Sequence, residues 1–328
     1  MAKVRLADIA KVAGVSAVTV HNAITGQKGV SDEMRARILE IAKEMGYRQP
    51  GSGARNTQGK SLRCIGVVIP ERYLAEYTTF YWKMYQEMAL AATEKSCMVT
   101  VEILKQEMED EMIVPCIAVD ALILMGDTSR DYIHYLKKNV DLPIVFLDFY
   151  DNELAKDAVI ADNFHGMYLM TEYLYEHGLT KLAFVGSIHF SSSIMDRYCG
   201  FSKAVLEHRD VTPAEWILED RDERGQIEIH LPEQMPEAFV CNCDLTAGLL
   251  MLELEKRGIS VPEDVSVVGF DNYLYPGFPD LKITSYEINT KAMVKVALEK
   301  ALKQIRGAAS GKNMEIVSGQ LVPKESVK

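Results

Sequence analysis

The chain has 328 residues, of which 48% are hydrophobic and 25% are charged, and its formal net charge is -11. This composition excludes a disordered or fibrous protein, and the length suits two or three compact domains of roughly 100 to 200 residues each. No run of about 20 consecutive apolar residues could span a bilayer, and the N-terminus has no apolar signal core, so we expect a cytoplasmic protein.

The charge is distributed unevenly along the chain. Residues 1–60 carry ten basic and five acidic side chains, a net charge of +5, and the remaining 268 residues carry -16. A basic segment joined to an acidic body indicates an anionic partner for that segment alone. The six cysteines are scattered and form no metal-ligand spacing, so we expect no disulfide, no metal site and no cofactor.

The first 45 residues predict three short helices. Apolar positions that begin at Leu6 follow one helical face and stop at Gly14. Ser16 is placed to cap a second helix over residues 17–25, and Ser31 is placed to cap a third. Two helices joined by a glycine-containing turn are typical of a helix-turn-helix, whose second helix lies in the major groove of double-stranded DNA.

The predicted second helix exposes short side chains on the faces that point away from its apolar stripe. These side chains are Ala17, Val18, His21, Asn22 and Thr25. They are free to reach base edges and phosphates, and the basic charge of the segment favours DNA as the partner. A helical adaptor whose exposed residues are only solvated is the alternative.

This segment closely resembles the headpiece of the lactose-repressor (LacI/GalR) family of bacterial transcription regulators, through LADIAKVAGVSAVTV at residues 6–20, GVS at 29–31 and MGY at 45–47. The resemblance implies base contacts from Ala17, Val18 and Asn22. It also implies contacts to the DNA backbone from Arg5, Ser16, Thr19, His21, Thr25, Ser31 and Tyr47. Asn22 stands where the family usually has arginine, so an asparagine-to-adenine contact is the natural substitute.

A linker is predicted over residues 49–62, where Gly, Ser, Gln and Asn are frequent. Its Gly-Lys-Ser run imitates a phosphate-binding loop, but the spacing of the glycines is wrong and the strand follows the loop instead of preceding it. The family resemblance implies a hinge helix that wedges the DNA minor groove through Ala54 and Arg55. Thr57 stands where the family's leucine would lie, which predicts a weaker wedge.

Residues 63–328 alternate apolar strand-like runs with helical segments, first from Cys64 to Leu147 and again from Asn163 to Gly269. This alternation is typical of βαβ units and predicts an α/β core of two doubly wound parallel sheets, behind a helix-turn-helix headpiece at residues 1–48. Ligands of such sheets bind beyond the carboxyl ends of the strands, so two facing sheets enclose a cleft.

The core resembles the same family, above all through VPEDVSVVGFD at residues 261–271. The resemblance implies a fold similar to the periplasmic sugar-binding proteins, with crossing strands near 148–160 and 274–288. We predict an N-subdomain and a C-subdomain, over about 63–148 with 274–288 and about 160–273 with 289–328, respectively. The segment between Glu219 and Glu237 matches the family's usual helix poorly.

Six residues are candidates for effector binding: Phe80, Tyr81, Asp148, Arg197, Cys243 and Asp271. Asp148 and Asp271 follow predicted strands, and with Arg197 they could converge on a polyhydroxylated molecule. All three match effector-contacting positions of the family, the aromatic pair matches residues that face its pocket, and Cys243 replaces its usual asparagine. The alternatives are loop caps for the two carboxylates, a surface ion pair for Arg197 and a core position for Phe80.

These features predict a DNA-binding transcriptional repressor whose operator affinity changes when a small effector binds in the cleft. Carboxylates together with aromatic residues fit a sugar or sugar derivative best. A nucleobase is the other ligand class that stacking would suit. One headpiece reads one half-site, so we expect a homodimer and a near-palindromic operator, and no apolar heptads follow Leu321 to build a tetramer. The alternatives are a carrier-like sugar-binding protein, which has no use for a headpiece, and a hydrolase that uses Asp148 and Asp271.

Overall fold

The computed structural model describes residues 6–25, 30–45, 62–74, 80–113, 119–151, 157–222, 225–276, 279–307 and 313–328. Five predicted DNA-contacting residues lie outside these ranges: Arg5, Tyr47, Ala54, Arg55 and Thr57. The side chains of Val18, His21, Asn22 and Thr25 are also outside the description. None of the described helices is long and apolar enough to cross a membrane.

Three helices form the N-terminal unit: α1 (Leu6–Ala13), α2 (Ala17–Thr25) and α3 (Asp32–Glu44). Their apolar faces enclose a small core around Ile9, Val20 and Ile38, each of which is fully buried. Arg35 on α3 ties this helix to α2, because its Nη1 donates a 2.7 Å hydrogen bond to the carbonyl oxygen of Ala23. The predicted helix-turn-helix is therefore confirmed.

The first sheet has six parallel strands in the order β11-β5-β4-β3-β1-β2. Its strands are β1 (Arg63–Pro70), β2 (Cys97–Leu104), β3 (Ala121–Met125), β4 (Ile144–Leu147), β5 (Asp157–Ala161) and β11 (Asn313–Val317). Its helices are α4 (Phe80–Glu94), α5 (Gln106–Asp110), α6 (Arg130–Asn139) and α10 (Thr290–Ile305). The central strands are buried on both faces, which is why they read as continuous apolar runs.

The second sheet has the order β12-β10-β9-β8-β6-β7, and β12 alone is antiparallel to its neighbour. Its strands are β6 (Leu182–Val185), β7 (Ile217–Leu218), β8 (Ala238–Cys241), β9 (Ser266–Asp271), β10 (Thr284–Glu287) and β12 (Gln320–Val322). Its helices are α7 (Asn163–Glu176), α8 (Ser192–Glu207) and α9 (Asp244–Lys256). Two doubly wound α/β sheets behind a helix-turn-helix confirm the predicted fold class.

The chain passes between the two sheets three times, at residue 162, at residues 288–289 and at residues 318–319. The predicted subdivision after residue 274 is therefore wrong: β10 belongs to the second sheet, whereas α10 and β11 belong to the first. Nζ of the buried Lys300 on α10 lies 3.4 Å from Oδ1 of Asp157 on β5, and this ion pair fixes the helix to the first sheet. Strand partners remote in sequence decide these assignments, and local hydrophobic patterns do not specify such partners.

The segment between Glu219 and Glu237 is not a helix in its described part. Arg221 and Ile227 form an isolated antiparallel bridge on either side of a turn, and the chain then reaches β8 without a further helix or strand. This turn lies beyond the carboxyl ends of β6 and β7, where it joins the wall of a cavity between the sheets.

Candidate functional site

A cavity of about 600 Å³ lies beyond the carboxyl ends of the strands of both sheets. The first sheet contributes the residues that follow β1, β3 and β4 and the start of α4, and the second contributes those that follow β6, β7, β8 and β9. This is the position at which open α/β sheets bind ligands. All six residues predicted to bind an effector line it: Phe80, Tyr81, Asp148, Arg197, Cys243 and Asp271.

Arg197 lies near the start of α8 and is 6% exposed. Its Nε donates to Oδ1 of Asn163 at 2.9 Å, and its Nη1 donates to the carbonyl oxygen of Asn242 at 2.7 Å. Its Nη2 lies 3.5 Å from Oδ1 of Asp271, and its guanidinium stacks 4.0 Å from the ring centre of Phe270. The side chain is thus held rigidly from several sides and is not a surface ion pair.

Asp148 follows β4 and is 8% exposed. Its Oδ2 accepts a 2.8 Å hydrogen bond from the hydroxyl of Tyr81, whereas its buried Oδ1 has no hydrogen-bond partner among the described residues. Burial raises the pKa of this carboxyl, although Arg197 and Tyr81 act in the opposite direction. A buried acceptor without a donor is costly, and a ligand hydroxyl is the kind of group that would satisfy it.

Asp271 ends β9 and faces Arg197 across the cavity floor. Burial raises the pKa of its carboxyl to about 8, with Arg197 lowering it and the nearby Asp244 and Asp148 raising it further. The protonated form therefore predominates below that pH. In this form Asp271 has one O–H donor and one acceptor, which suits a hydroxyl-bearing ligand.

Asp244, the first residue of α9, fixes the chain that follows β9. Its carboxylate accepts from the hydroxyl of Ser285 at 2.7 Å and from the backbone N–H of Tyr273 at 2.7 Å. Gly269 makes this approach possible, because a Cβ there would lie 2.1 Å from Oδ1 of Asp244. Burial raises the pKa of Asp244 to about 7, and the Ser285 hydrogen bond lowers it in part.

The aromatic residues at the start of α4 connect the two sides of the cleft. Phe80 packs edge-to-face on Tyr81 at 5.4 Å and on Tyr273, which belongs to the second sheet's side, at 5.7 Å. Phe80 is 7% exposed, so it is both a core residue and part of the cavity wall.

Cys243 is a buried thiol, and its Sγ lies 3.3 Å from the hydroxyl of Thr246. Burial raises the pKa of this thiol, which keeps it neutral. A neutral thiol offers a ligand only a weak donor and a weak acceptor, so this position adds little polar recognition to the cavity.

Among the lining residues that were not predicted from the sequence, five have ionisable side chains: Arg72, Tyr73, Asp127, Arg221 and Tyr275. Asp127 follows β3 just as Asp148 follows β4, so the same signal, an aspartate after a buried strand, could have identified it. Arg72 is already paired inside the protein, because its Nη1 lies 2.6 Å from Oε2 of the buried Glu109. Arg221 lies in the segment whose local structure the sequence left open.

The headpiece presents part of the predicted DNA-contacting surface. Ser16 and Ala17 are exposed at the start of α2, and Ser31 is exposed before α3. The hydroxyl oxygen of Ser16 accepts from the backbone N–H of Thr19 at 3.0 Å, which makes Ser16 the cap of α2. Ser31 accepts from Met34 at 3.3 Å in the same way.

Residues 5–49 match the bacterial regulatory proteins of the lacI family, and residues 171–327 match the periplasmic binding protein-like domain. The chain is similar to the HTH-type transcriptional repressor PurR of Aliivibrio salmonicida, with 25% identity over 98% of both chains. It is likewise 26% identical to PurR of Vibrio vulnificus, again over 98% of both chains.

Two solved structures have the same fold over nearly the whole chain. One is the transcriptional regulator CelR in complex with cellobiose, at 20% identity and a TM-score of 0.67, covering 99% of this chain and all of that one. The other is the lac repressor dimer bound to operator and the anti-inducer ONPF, at 20% identity and a TM-score of 0.64, covering 99% of each chain.

A helix-turn-helix joined to a binding-protein-like core defines a transcription regulator, and both sets of relatives are regulators and not enzymes. The chain combines a DNA-binding domain of the lacI family with a periplasmic binding protein-like domain, and it is a DNA-binding transcriptional repressor.

Proposed function

We propose that this repressor changes its affinity for operator DNA when a small polyhydroxylated effector, a sugar or sugar derivative, binds in the cavity between the two sheets. The observation that carries the proposal is the buried, unpartnered Oδ1 of Asp148 at the cavity wall. A ligand hydroxyl would donate to this oxygen, and hydroxyls on the other side would meet Asp271 and Arg197.

The composition of the wall supports a sugar. Carboxyl groups satisfy several hydroxyls at once, and the flat faces of aromatic residues suit the apolar face of a sugar ring. The volume of about 600 Å³ lies within the usual range for small-molecule sites. CelR, which shares the fold, is complexed with cellobiose in its own structure.

Effector and DNA are expected to be coupled through the arrangement of the two sheets. A ligand that touches residues of both sheets stabilises the arrangement in which both contacts are made. By linkage, DNA then changes the affinity for effector by the same factor by which effector changes the affinity for DNA. The three chain passages between the sheets are the places at which the arrangement can change.

The DNA-binding half is proposed for a cytoplasmic homodimer on a near-palindromic operator, with α2 of each headpiece in the major groove. The residues assigned to this role are Arg5, Ser16, Ala17, Val18, Thr19, His21, Asn22, Thr25, Ser31, Tyr47, Ala54, Arg55 and Thr57. The proposed domain limits remain 1–48 for the headpiece and 49–62 for the hinge. Light scattering of the full chain at micromolar concentration should give the mass of a dimer, and a monomer would contradict this assembly.

The test of the effector uses the full-length protein and an operator selected from random-sequence duplexes. Thermal unfolding is measured over a panel of neutral sugars, sugar phosphates and nucleobases, and each stabilising compound is added to an operator titration. We expect a sugar-type compound to change operator affinity by about 5- to 150-fold, the usual range of allosteric coupling. Asp148→Asn should weaken that compound's binding, whereas Glu263→Gln, at an exposed position outside the cavity, should not.

If a nucleobase alone is active, the sugar assignment is wrong but the sensing role stands. If no compound of the panel that binds the protein alters DNA binding, the proposed coupling is wrong.

A further inference from the structure

Arg221 lies in the cavity wall with a guanidinium that is incompletely hydrogen-bonded. Its Nη1 is fully shielded from solvent and has no hydrogen-bond partner among the described residues. Its Nη2 has one weak contact, 3.8 Å from Sγ of Cys243. Guanidinium groups have five N–H donors, and leaving buried donors unmade is unfavourable.

The adjacent carboxylate, Asp220, does not fill this gap. Its Oδ1 lies 3.6 Å from Nη1 of Arg221, beyond hydrogen-bonding distance, and accepts instead from the backbone N–H of Ser187 at 2.8 Å. Its Oδ2 accepts from the side chains of Asn242 and Thr246, each at 2.6 Å. Asp220 therefore orders the strand ends of the second sheet and uses its lone pairs there.

Asp220 balances the charge of Arg221 at 3.6 Å, and other contacts hold the side chain in place without supplying Nη1 with a hydrogen-bond acceptor. Its backbone N–H donates to the hydroxyl of Ser187 at 3.0 Å, and its guanidinium lies 5.1 Å from the ring centre of Phe190. The turn after it is closed by Asp222, which accepts from Gln226 at 2.8 Å. Gly225 in this turn has a φ of +79°, and a Cβ there would lie 2.9 Å from the Phe190 ring.

Arg221 differs in this respect from the other two arginines of the cavity. Arg72 is paired with Glu109, and Arg197 donates to Asn163 and to the Asn242 carbonyl oxygen. The donors of those two arginines are largely used inside the protein. Arg221 alone among the three retains a buried donor edge for a group that enters from outside.

We propose that Arg221 is the specificity residue of the effector site and that it selects an effector with an anionic group, a carboxylate or a phosphate, attached to the hydroxyl-bearing part. This inference rests on the proposed function, since it assigns the chemistry of the same cavity. Arginine binds both anions through two parallel N–H donors, so the geometry suits either source. The hydroxyls face Asp148 and Asp271, and the anionic end faces Arg221.

The experiment compares neutral sugars with their acids in the full-length protein. Isothermal titration uses glucose, glucuronate and glucose 6-phosphate, and the corresponding galactose series. The variants are Arg221→Gln, Arg221→Lys and, as a matched control, Arg257→Gln, which removes a half-exposed arginine at the end of α9 outside the cavity.

We expect at least one acidic sugar to bind about 10-fold or more tightly than its neutral parent, and Arg221→Gln to abolish this difference while changing neutral binding little. Arg221→Lys should keep part of the preference, and Arg257→Gln should keep all of it. Whichever of the uronate and the sugar phosphate binds more tightly shows whether the site prefers a carboxylate or a phosphate.

A second measurement does not depend on the sugar. Inorganic phosphate at constant ionic strength should raise the melting temperature of the wild type and of Arg257→Gln more than that of Arg221→Gln.

An equal effect of phosphate on all three proteins, or a neutral sugar that binds as tightly as its acids, would overturn the role of Arg221 and leave the proposed sensing function intact. Failure of every sugar, neutral and acidic, to bind would instead remove the sugar assignment itself.

Discussion

The residues that end the buried strands carry backbone strain at the cavity. Asp148 has a φ of 67°, Asp271 of 101° and Asn272 of 48°, all in the region that L-amino acids rarely adopt. Each such residue costs about 1 to 3 kcal/mol, and strained residues of this kind persist where the surrounding structure determines them. Here Asp148 is fixed by Tyr81, and Asn272 by the hydroxyl of Ser285. The strain lies where the carboxylates face the cavity.

The pKa of Asp271, about 8, makes stability depend on pH. In the unfolded chain this carboxyl titrates near its ordinary value of 3.8, so between about pH 4 and pH 8 the folded state holds a proton that the unfolded state releases. The free energy of unfolding should therefore fall as pH rises through this window, by at most about 1.4 kcal/mol per pH unit for one proton.

Asp271→Asn tests this, since asparagine also tolerates a positive φ. Urea unfolding at pH 5.5, 6.5 and 7.5 should show a smaller fall in the variant than in the wild type, with Asp244 supplying the remaining slope. Glu263→Gln, at an exposed loop position, serves as control and should keep the wild-type slope. Identical slopes in all three proteins would show that Asp271 is already ionised in the folded state.

Individual residues also mark how far the sequence predicts the site. Asp148 and Asp271 could be predicted because each stands at the carboxyl end of a buried strand, and a parallel sheet brings such positions to one edge. Arg221 could not, because its place depends on a bridge to Ile227 in a segment without a strand or helix period. Its orphaned donor is a property of three-dimensional neighbours, which no local pattern specifies.

Among the elements, the third passage between the sheets is packed closely against its neighbouring backbone. A Cβ at Gly319, in the third passage, would lie 2.1 Å from the carbonyl oxygen of Glu287 and 2.7 Å from the Tyr286 ring. The N–H of Gly319 donates to the hydroxyl of Tyr286 at 2.8 Å. The third passage is thus in direct contact with the end of β10, just before the second passage. The sequence predicts β10 and α10 on the wrong sides here, because strand pairing over long separations has no local signal.

Gly319→Ala should destabilise the protein by about 1 to 3 kcal/mol, since the added methyl forces the third passage away from the end of β10. Urea unfolding followed by circular dichroism measures the effect. Ser318→Ala, at the exposed neighbouring position, should change the free energy of unfolding by no more than about 0.5 kcal/mol. If both variants unfold at the same urea concentration, the close approach at Gly319 does not limit stability.

The second helix of the headpiece was assigned to sequence recognition, and Asn22 is the residue expected to read an adenine. Asn22→Ala should reduce discrimination between the selected operator and a variant at the contacted base pair by about 1 to 3 kcal/mol, with binding to random DNA largely unchanged. Fluorescence anisotropy with both duplexes measures the difference. Ser31→Ala, at a predicted phosphate contact, is the control and should weaken all duplexes alike, so a uniform loss from Asn22→Ala would remove its reading role.

At the scale of the whole molecule, the headpiece and the core carry net charges of opposite sign. Residues 1–60 carry +5 and the rest -16, so we expect the core to repel phosphate and DNA contact to be confined to the headpiece and hinge. The alternation of short apolar runs with helical segments in the core sequence predicts both sheets, because each central strand is such a run.

Operator affinity should therefore fall steeply as the salt concentration rises, because a few basic side chains of each subunit make the contacts to phosphate. The logarithm of the binding constant should decrease linearly with the logarithm of salt concentration, by about 0.9 for each phosphate neutralised. Arg5→Gln should reduce that slope by about 1 per subunit, whereas Lys138→Gln, exposed on α6 of the core, should not change it. An equal change from Lys138→Gln would place DNA against the core.

The last strands of both sheets come from one short stretch of the chain. β11 closes one edge of the first sheet and β12 one edge of the second, within residues 313–322. During synthesis on the ribosome, the headpiece core between Ile9 and Ala42 emerges first, and both sheets are completed last and nearly together. A nascent chain thus completes its helix-turn-helix well before the cavity between the sheets, so the proposed effector would act only on finished molecules.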